Sequence, residues 1–259
     1  MTQPAASPAT PRPVRLALLL LALAALGFFA SLPSLTPMIA AAAARRHPAL
    51  PLPLSVAAQG VQVLLGVALA AFLGARFAPR VGLDAPFLRA LAEGTPAPRD
   101  AARRAVEALL AGAGAAALTV LVLWLLRPNV PAWVWKPPAH SAFWAGVPGA
   151  FYGGTVEEIL LRWGVLAPLL ALVRKLGVRD GFWTANVLAA LLFGLGHLPA
   201  ARALGMPMTP GVLAHVLLGN GVAGLIFGTV FRRRGLEAAM VSHAFADVWL
   251  HAALPWMLR

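Results

Sequence analysis

No cysteine occurs in the chain, which removes a thiol nucleophile, a disulfide framework and a thiolate metal site together. Charge is nearly as scarce. Asp, Glu, Lys and Arg make up 12% of the 259 residues and hydrophobic residues 60%, whereas an ordinary soluble domain is about 25% charged. So little polar surface cannot cover a globule in water, and lipid is the expected solvent. Also missing are the G-x-S-x-G nucleophile elbow, H-E-x-x-H and paired aspartates within the apolar stretches, which excludes three common hydrolase and protease designs.

What the chain does have is long stretches free of Asp, Glu, Lys and Arg: 16–44, 54–75, 108–126, 139–156, 181–201 and 203–231, with a seventh, 238–257, interrupted only by Asp247. Each meets or approaches the ~20 residues a helix needs to cross a ~30 Å hydrocarbon core. The expected fold is therefore all-α, a polytopic transmembrane bundle of about seven spans. Lys and Arg resist translocation, so their distribution sets the orientation. With the N-terminus cytoplasmic, the inner segments hold Arg12, Arg15, Arg76, Arg80, Arg89, Arg99, Arg103, Arg104, Arg174, Lys175, Arg179, Arg232, Arg233 and Arg234. The outer segments hold only Arg45, Arg46, Arg127, Lys136, Arg202 and Arg259.

The net charge of +12 is gathered in clusters flanking the apolar spans and not on a stripe beside stacking aromatics, so anionic lipid head groups suit it better than nucleic acid. Residues 1–14 read as a disordered Pro, Ala and Thr-rich tail. Residues 15–104 read as two spans and a basic cytoplasmic loop, and 105–259 as a five-span segment with the chemistry near 143–255. A helix is expected after Pro98, with Asp100 near its start. The stretch 127–140, with Trp133 and Trp135 among prolines, reads as an interfacial loop.

Ionisable groups at membrane depth cost roughly 2.5–3.5 kcal/mol each on insertion scales, so a chain that retains several of them uses them. This chain retains Glu157, Glu158, Arg162, His197, His215, His243 and Asp247. Glu158 and Arg162, four apart, share a helix face and form a buried ion pair. Glu157, turned about 100° away, is left to face a cavity. His197 follows Gly194 and Gly196, whose missing side chains let a neighbouring helix or substrate approach. His243 and Asp247 again share a face through four-residue spacing, with Ala244 and Ala246 between the turns. His215 fits a structural histidine bonded to a carbonyl, and His251 an interfacial one. Counted at ~1.5 Å per residue, His197 lies about 24 Å from a helix start at Gly181 and His243 about 10 Å from one near Leu236, a mismatch in depth.

Glu157-Glu158-x-x-x-Arg162, Phe193-x-x-x-His197 and His243-x-x-x-Asp247, in that order on successive apolar helices, resemble the motifs of the CPBP (CAAX-protease and bacteriocin-processing, or Abi) intramembrane proteases, which include the type II CAAX prenyl endopeptidases. The resemblance implies that Glu157 and His197 activate a water, while His243 and the residue at 247 steady the oxyanion or help to bind a metal. Characterised prenyl-protein endopeptidases resemble one another in preferring Asn at the position of Asp247. An ionised Asp cannot donate a hydrogen bond, so Asp247 is protonated, orients His243 or ligates a cation. Two mechanisms stay open: a divalent metal, zinc foremost, on Glu157, His197, His243 and Asp247, or a metal-free site with Glu157 as general base. The expected protein is an intramembrane endopeptidase of a bacterial cytoplasmic membrane. Its partners would be membrane lipid and a membrane-associated or prenylated peptide or protein. A proton- or ion-coupled transporter and a non-catalytic immunity or scaffold protein are the competing functions.

Overall fold

The computed structural model describes residues 12–45, 50–132 and 142–253, and among them every regular element is helical. Most of the N-terminal tail, Trp133 and Trp135 of the expected interfacial loop, and residues 254–259 lie outside the described residues. Among the described residues five helices are long and apolar enough to cross a membrane: Pro13–Ala30, Leu52–Val81, Ala101–Asn129, Gly181–Ala203 and Pro210–Arg234. The protein is thus an all-helical membrane bundle.

The apolar stretch 16–44, expected as one span, is two helices, α1 (Arg12–Ala30) and α2 (Leu32–Ala44). The break follows from Pro33, which has no N–H for the preceding turn. The buried Ser31 hydroxyl at the joint bonds the Phe28 carbonyl at 2.8 Å. Pro53 stands in the first turn of α3 (Leu52–Phe77), where a missing N–H costs nothing. Then come a short amphipathic helix, α4 (Pro86–Glu93), and α5 (Ala101–Leu126), which begins directly after Asp100 as its sequence signal requires.

Residues 142–175 form one rod: α6 (Ala142–Phe151), π-helical turns over Tyr152–Glu157 and Ile159–Leu166, and α7 (Ala167–Lys175). An ideal α-helix was expected here. The wide turns begin at Tyr152-Gly153-Gly154, whose two glycines weaken α-helical preference, and π-turns inside helices frequently mark functional sites. The rod is followed by α8 (Gly181–Ala203), α9 (Pro210–Arg234), α10 (Leu236–Val248) and a terminal π-turn, Trp249–Ala253. α9 packs against α5, α8 and α10, while α10 also meets α5, α6 and the first π-turn. Polar groups of the rod, α8 and α10 are thereby brought together.

The basic connections meet at one end of the bundle. Arg104 Nη1 donates to the Arg234 carbonyl at 2.8 Å, Arg174 Nη1 to the Val81 carbonyl at 3.1 Å, and Arg232 lies 4.3 Å from the Phe182 ring centroid. α9 turns into α10 through Gly235 alone, at φ 98°, a left-handed conformation suited to glycine. α4 caps this turn: the Leu88 N–H donates to Glu237 Oε1 at 2.6 Å and the Leu236 N–H to the Asp84 carbonyl at 3.0 Å.

Leu236 is fully buried beneath the α4 segment, whereas Asp180, just before α8, is exposed. The two residue counts thus start from unlike places, one under the α4 cap and the other at the surface. In addition, His197 folds back toward its preceding turn, with Nδ1 2.9 Å from the Phe193 carbonyl.

Candidate active site

The centre of the site is the carboxylate of Glu158, at the middle of the 142–175 rod and fully buried. Its Oε2 is 3.2 Å from Arg162 Nε, so the expected pair forms. Its Oε1 is 2.8 Å from His243 Nδ1 on α10, a contact that sequence spacing could not reveal. The Arg162 guanidinium, also fully buried, lies 5.3 Å from the Phe193 ring centroid and 5.9 Å from that of Phe227. The aromatic faces add cation–π attraction where water is absent.

Phe227, on α9, carries no motif of its own. Its ring stacks on His243 with centroids 4.4 Å apart and planes 22° apart, while Phe193 meets His197 edge-on at 4.7 Å and His243 at 5.6 Å. Two phenyl rings thus fix both imidazoles. Phe193 belongs to the second motif, so its importance was legible; Phe227 gave no signal beyond apolarity.

Hydrogen bonding sets the tautomers. A backbone carbonyl only accepts, so His197 Nδ1 carries the proton given to Phe193, and the same holds for His243 Nδ1 facing the ion-paired Glu158. In each neutral ring Nε2 is then an acceptor. Both Nε2 atoms face Glu157: His197 Nε2 is 3.8 Å from Glu157 Oε1, and His243 Nε2 is 3.7 Å from Glu157 Oε2. Asp247 Oδ2 is 3.6 Å from His243 Nε2. Acceptors opposed at 3.6–3.8 Å cannot bond one another directly. They need a shared donor between them.

Side-chain exposure falls from 32% at His197 and 20% at Glu157 to 5% at His243 and 0% at Glu158, which places the opening on the His197–Glu157 side. Gly153 makes room for the cluster, since a Cβ there would overlap the Asp247 carboxylate and reach 3.0 Å from His243 Nε2. Gly194 does admit a neighbour, the α9 backbone at Leu217, whereas Gly196 faces open space and meets no neighbouring helix among the described residues. Ala246 is buried in a small cluster with Ala115, Ala116, Ala223 and Phe227, whereas Ala244 lines a groove beside the site.

His215 stands apart, twelve residues or about 18 Å of helix from Phe227, and is buried in α9. His251 is closer than an interfacial assignment implies: exposed, its Nε2 is 3.9 Å from Asp247 Oδ1. The π-turn after Val248 carries it there.

The donor chemistry suits a divalent cation, because each imidazole is anchored through Nδ1–H with Nε2 free, as metal-bound histidines are. The spacing does not. Two ligands of one tetrahedral zinc, each about 2.0–2.1 Å from it, stand about 3.3–3.4 Å apart, and the pairs here are wider. Among the described residues no group of three or more His, Asp or Glu is arranged to hold a metal ion.

Searches of curated proteins and of solved structures return no match. Residues 139–249 match the family model described as type II CAAX prenyl endopeptidase Rce1-like, a span that contains Glu157, Glu158, Arg162, His197, His243 and Asp247 and leaves out α1 to α5. The match covers less than half of the chain and makes segment 139–249 of this membrane-embedded chain similar to the type II CAAX prenyl endopeptidase Rce1-like family, a family of proteases.

Proposed function

We propose that the protein is an intramembrane endopeptidase in which Glu157 activates a water against a peptide carbonyl. The observation that carries this reading is the convergence of two imidazoles on one carboxylate: Glu157 lies 3.8 Å from His197 Nε2 and 3.7 Å from His243 Nε2, gaps that one water can bridge. Glu157 takes one proton as the water oxygen attacks, and His197 Nε2 holds the second O–H in line. Glu158 and Arg162 do not touch the reacting atoms; they hold His243 in its tautomer. With a second proton, His243 presents Nε2–H to the oxyanion, Glu158 and Asp247 on either side balancing its charge.

A groove of about 290 Å³ runs between the rod and α10, walled by residues including Val147, Phe151, Gly154, Ala244 and Val248. It suits the apolar part of a membrane-associated or prenylated substrate. By the positive-inside rule the basic end faces the cytoplasm, and the start of α1, Arg15 included, lies on that side, where α1 packs against α4.

One observation favours a metal-dependent form. Glu157, Glu158 and Asp247 outnumber Arg162, leaving two formal negative charges within the bundle, which a divalent cation would balance as well as protons on the two imidazoles. Glu157, His197, His243 and Asp247 would hold it, and it would supply a more acidic water.

The test is cleavage of a panel of farnesylated and unmodified peptides by the purified protein. Glu157→Ala, His197→Ala and His243→Ala each lower the rate by at least about 10²-fold with folding intact. Ordinary turnover by Glu157→Ala would end the reading. Full activity after exhaustive chelation would remove its metal-dependent form.

A further inference from the structure

A second cavity, of about 490 Å³, opens between α5, α8 and α9 at the basic end, on the other side of α9 from the catalytic cluster. Its deep wall is apolar, made by Leu225, Ile226 and Val230, and Trp183 stands at its edge. Its outer end is lined by Glu107, Arg233 and Arg234.

The charges there are unequally occupied. Glu107 is taken by Arg103 at 3.0 Å and by Arg234, Arg104 pairs with Asp100 at 2.9 Å, and Arg232 lies over Phe182. Arg233 is exposed, lines the cavity and enters none of these contacts. From Arg233 to Leu225 the helix descends eight residues, about 12 Å, comparable with the ~15 Å half-thickness of a hydrocarbon core. Trp183, 51% exposed one turn into α8, lies where interfacial tryptophans sit.

We infer that this cavity is a binding site for one anionic phospholipid of the leaflet at the basic end, its phosphate on Arg233 and an acyl chain along Leu225, Ile226 and Val230. A cation without a counter-ion among the described residues, at the head-group end of an apolar slot one leaflet deep, matches a molecule with a charged head and a long tail. A free phosphate would use only Arg233, and an uncharged lipid only the slot.

The test is native mass spectrometry of the full chain released from detergent, titrated with phosphatidylglycerol, with phosphatidylcholine and, separately, with inorganic phosphate as competitor. Phosphatidylglycerol binds in a 1:1 complex in preference to phosphatidylcholine, and Arg233→Gln weakens it about fivefold. Arg99→Gln removes an exposed charge of the same end outside the cavity and leaves the complex unchanged. Leu225→Trp fills the slot while keeping every charge, and it also weakens the complex, deciding the matter if Arg233→Gln misfolds. Equal weakening by Arg99→Gln and Arg233→Gln, equal affinity for the two lipids, or displacement by millimolar phosphate would each overturn the assignment.

Discussion

Glu158 holds two motifs in one carboxylate: Oε2 lies 3.2 Å from Arg162 Nε in its own helix, and Oε1 lies 2.8 Å from His243 Nδ1 across the bundle. The ion pair and the imidazole are therefore coupled, and a change at either end is felt by the other.

Glu158→Gln leaves Arg162 buried without its counter-charge. Breaking a buried pair from one side costs about 3–5 kcal/mol, so thermal unfolding in detergent shifts down strongly and cleavage is lost. The double variant Glu158→Gln/Arg162→Met recovers most of that stability, because no charge is then stranded, but recovers no activity. Restored cleavage in the double variant would show that His243 does not depend on Glu158.

Phe227→Leu keeps an apolar side chain of similar bulk and deletes the stack on His243. The expected result is a folded protein with kcat reduced by up to about tenfold and KM nearly unchanged. Steady-state kinetics on one peptide checks it. A change confined to KM would place Phe227 in substrate binding.

Asp247 separates two roles by substitution. Asn keeps the shape and exchanges the charge that balances His243 for a donor of its own to the oxyanion, so Asp247→Asn retains cleavage to within about tenfold, whereas Asp247→Ala loses about 10²–10³ in kcat. Wild-type turnover by the alanine variant would take Asp247 out of the reaction.

Gly153→Ala puts a methyl group on the Asp247 carboxylate. The carboxylate is the free end of a side chain and can move, so the fold survives while the cluster shifts. A displacement of about 1 Å costs as much as 10²-fold in rate, and the variant is expected to unfold at the wild-type temperature with cleavage reduced at least tenfold. Unchanged activity would show that the cluster tolerates displacement.

Glu237 lies at the basic end, outside the spans, where burial raises its carboxyl above the ordinary 4.5. A raised pKa means that the folded state binds the proton more tightly than the unfolded state. The stability linked to that proton is complete below about 4.5 and declines as pH rises through the folded value. Glu237→Gln keeps an acceptor for the Leu88 N–H without the buried charge. The variant is expected to match the wild type at pH 4 and to unfold at a higher temperature at pH 7. The opposite order at pH 7 would mean that the ionised carboxylate stabilises the α4–α10 junction.

The sequence alone determined the solvent, the helical class and the residues of the cluster. Long uncharged runs have no other stable fate than helices in lipid, and ionisable groups kept among them are conspicuous. The Glu158–Arg162 pair was legible for the same reason, being local to one helix. The tertiary structure decided what depended on distance across the bundle: that Glu158 reaches His243, that Phe227 stacks on it, that His251 borders Asp247, that α4 covers the start of α10, and that His197 and His243 both face Glu157. Apolar patterning reports burial but not which neighbour a side chain meets, and in a bundle that is oily on both sides it does not distinguish the face toward lipid from the face toward protein. Only the packing of α8, α9 and α10 against the π-turns of the 142–175 rod makes that choice.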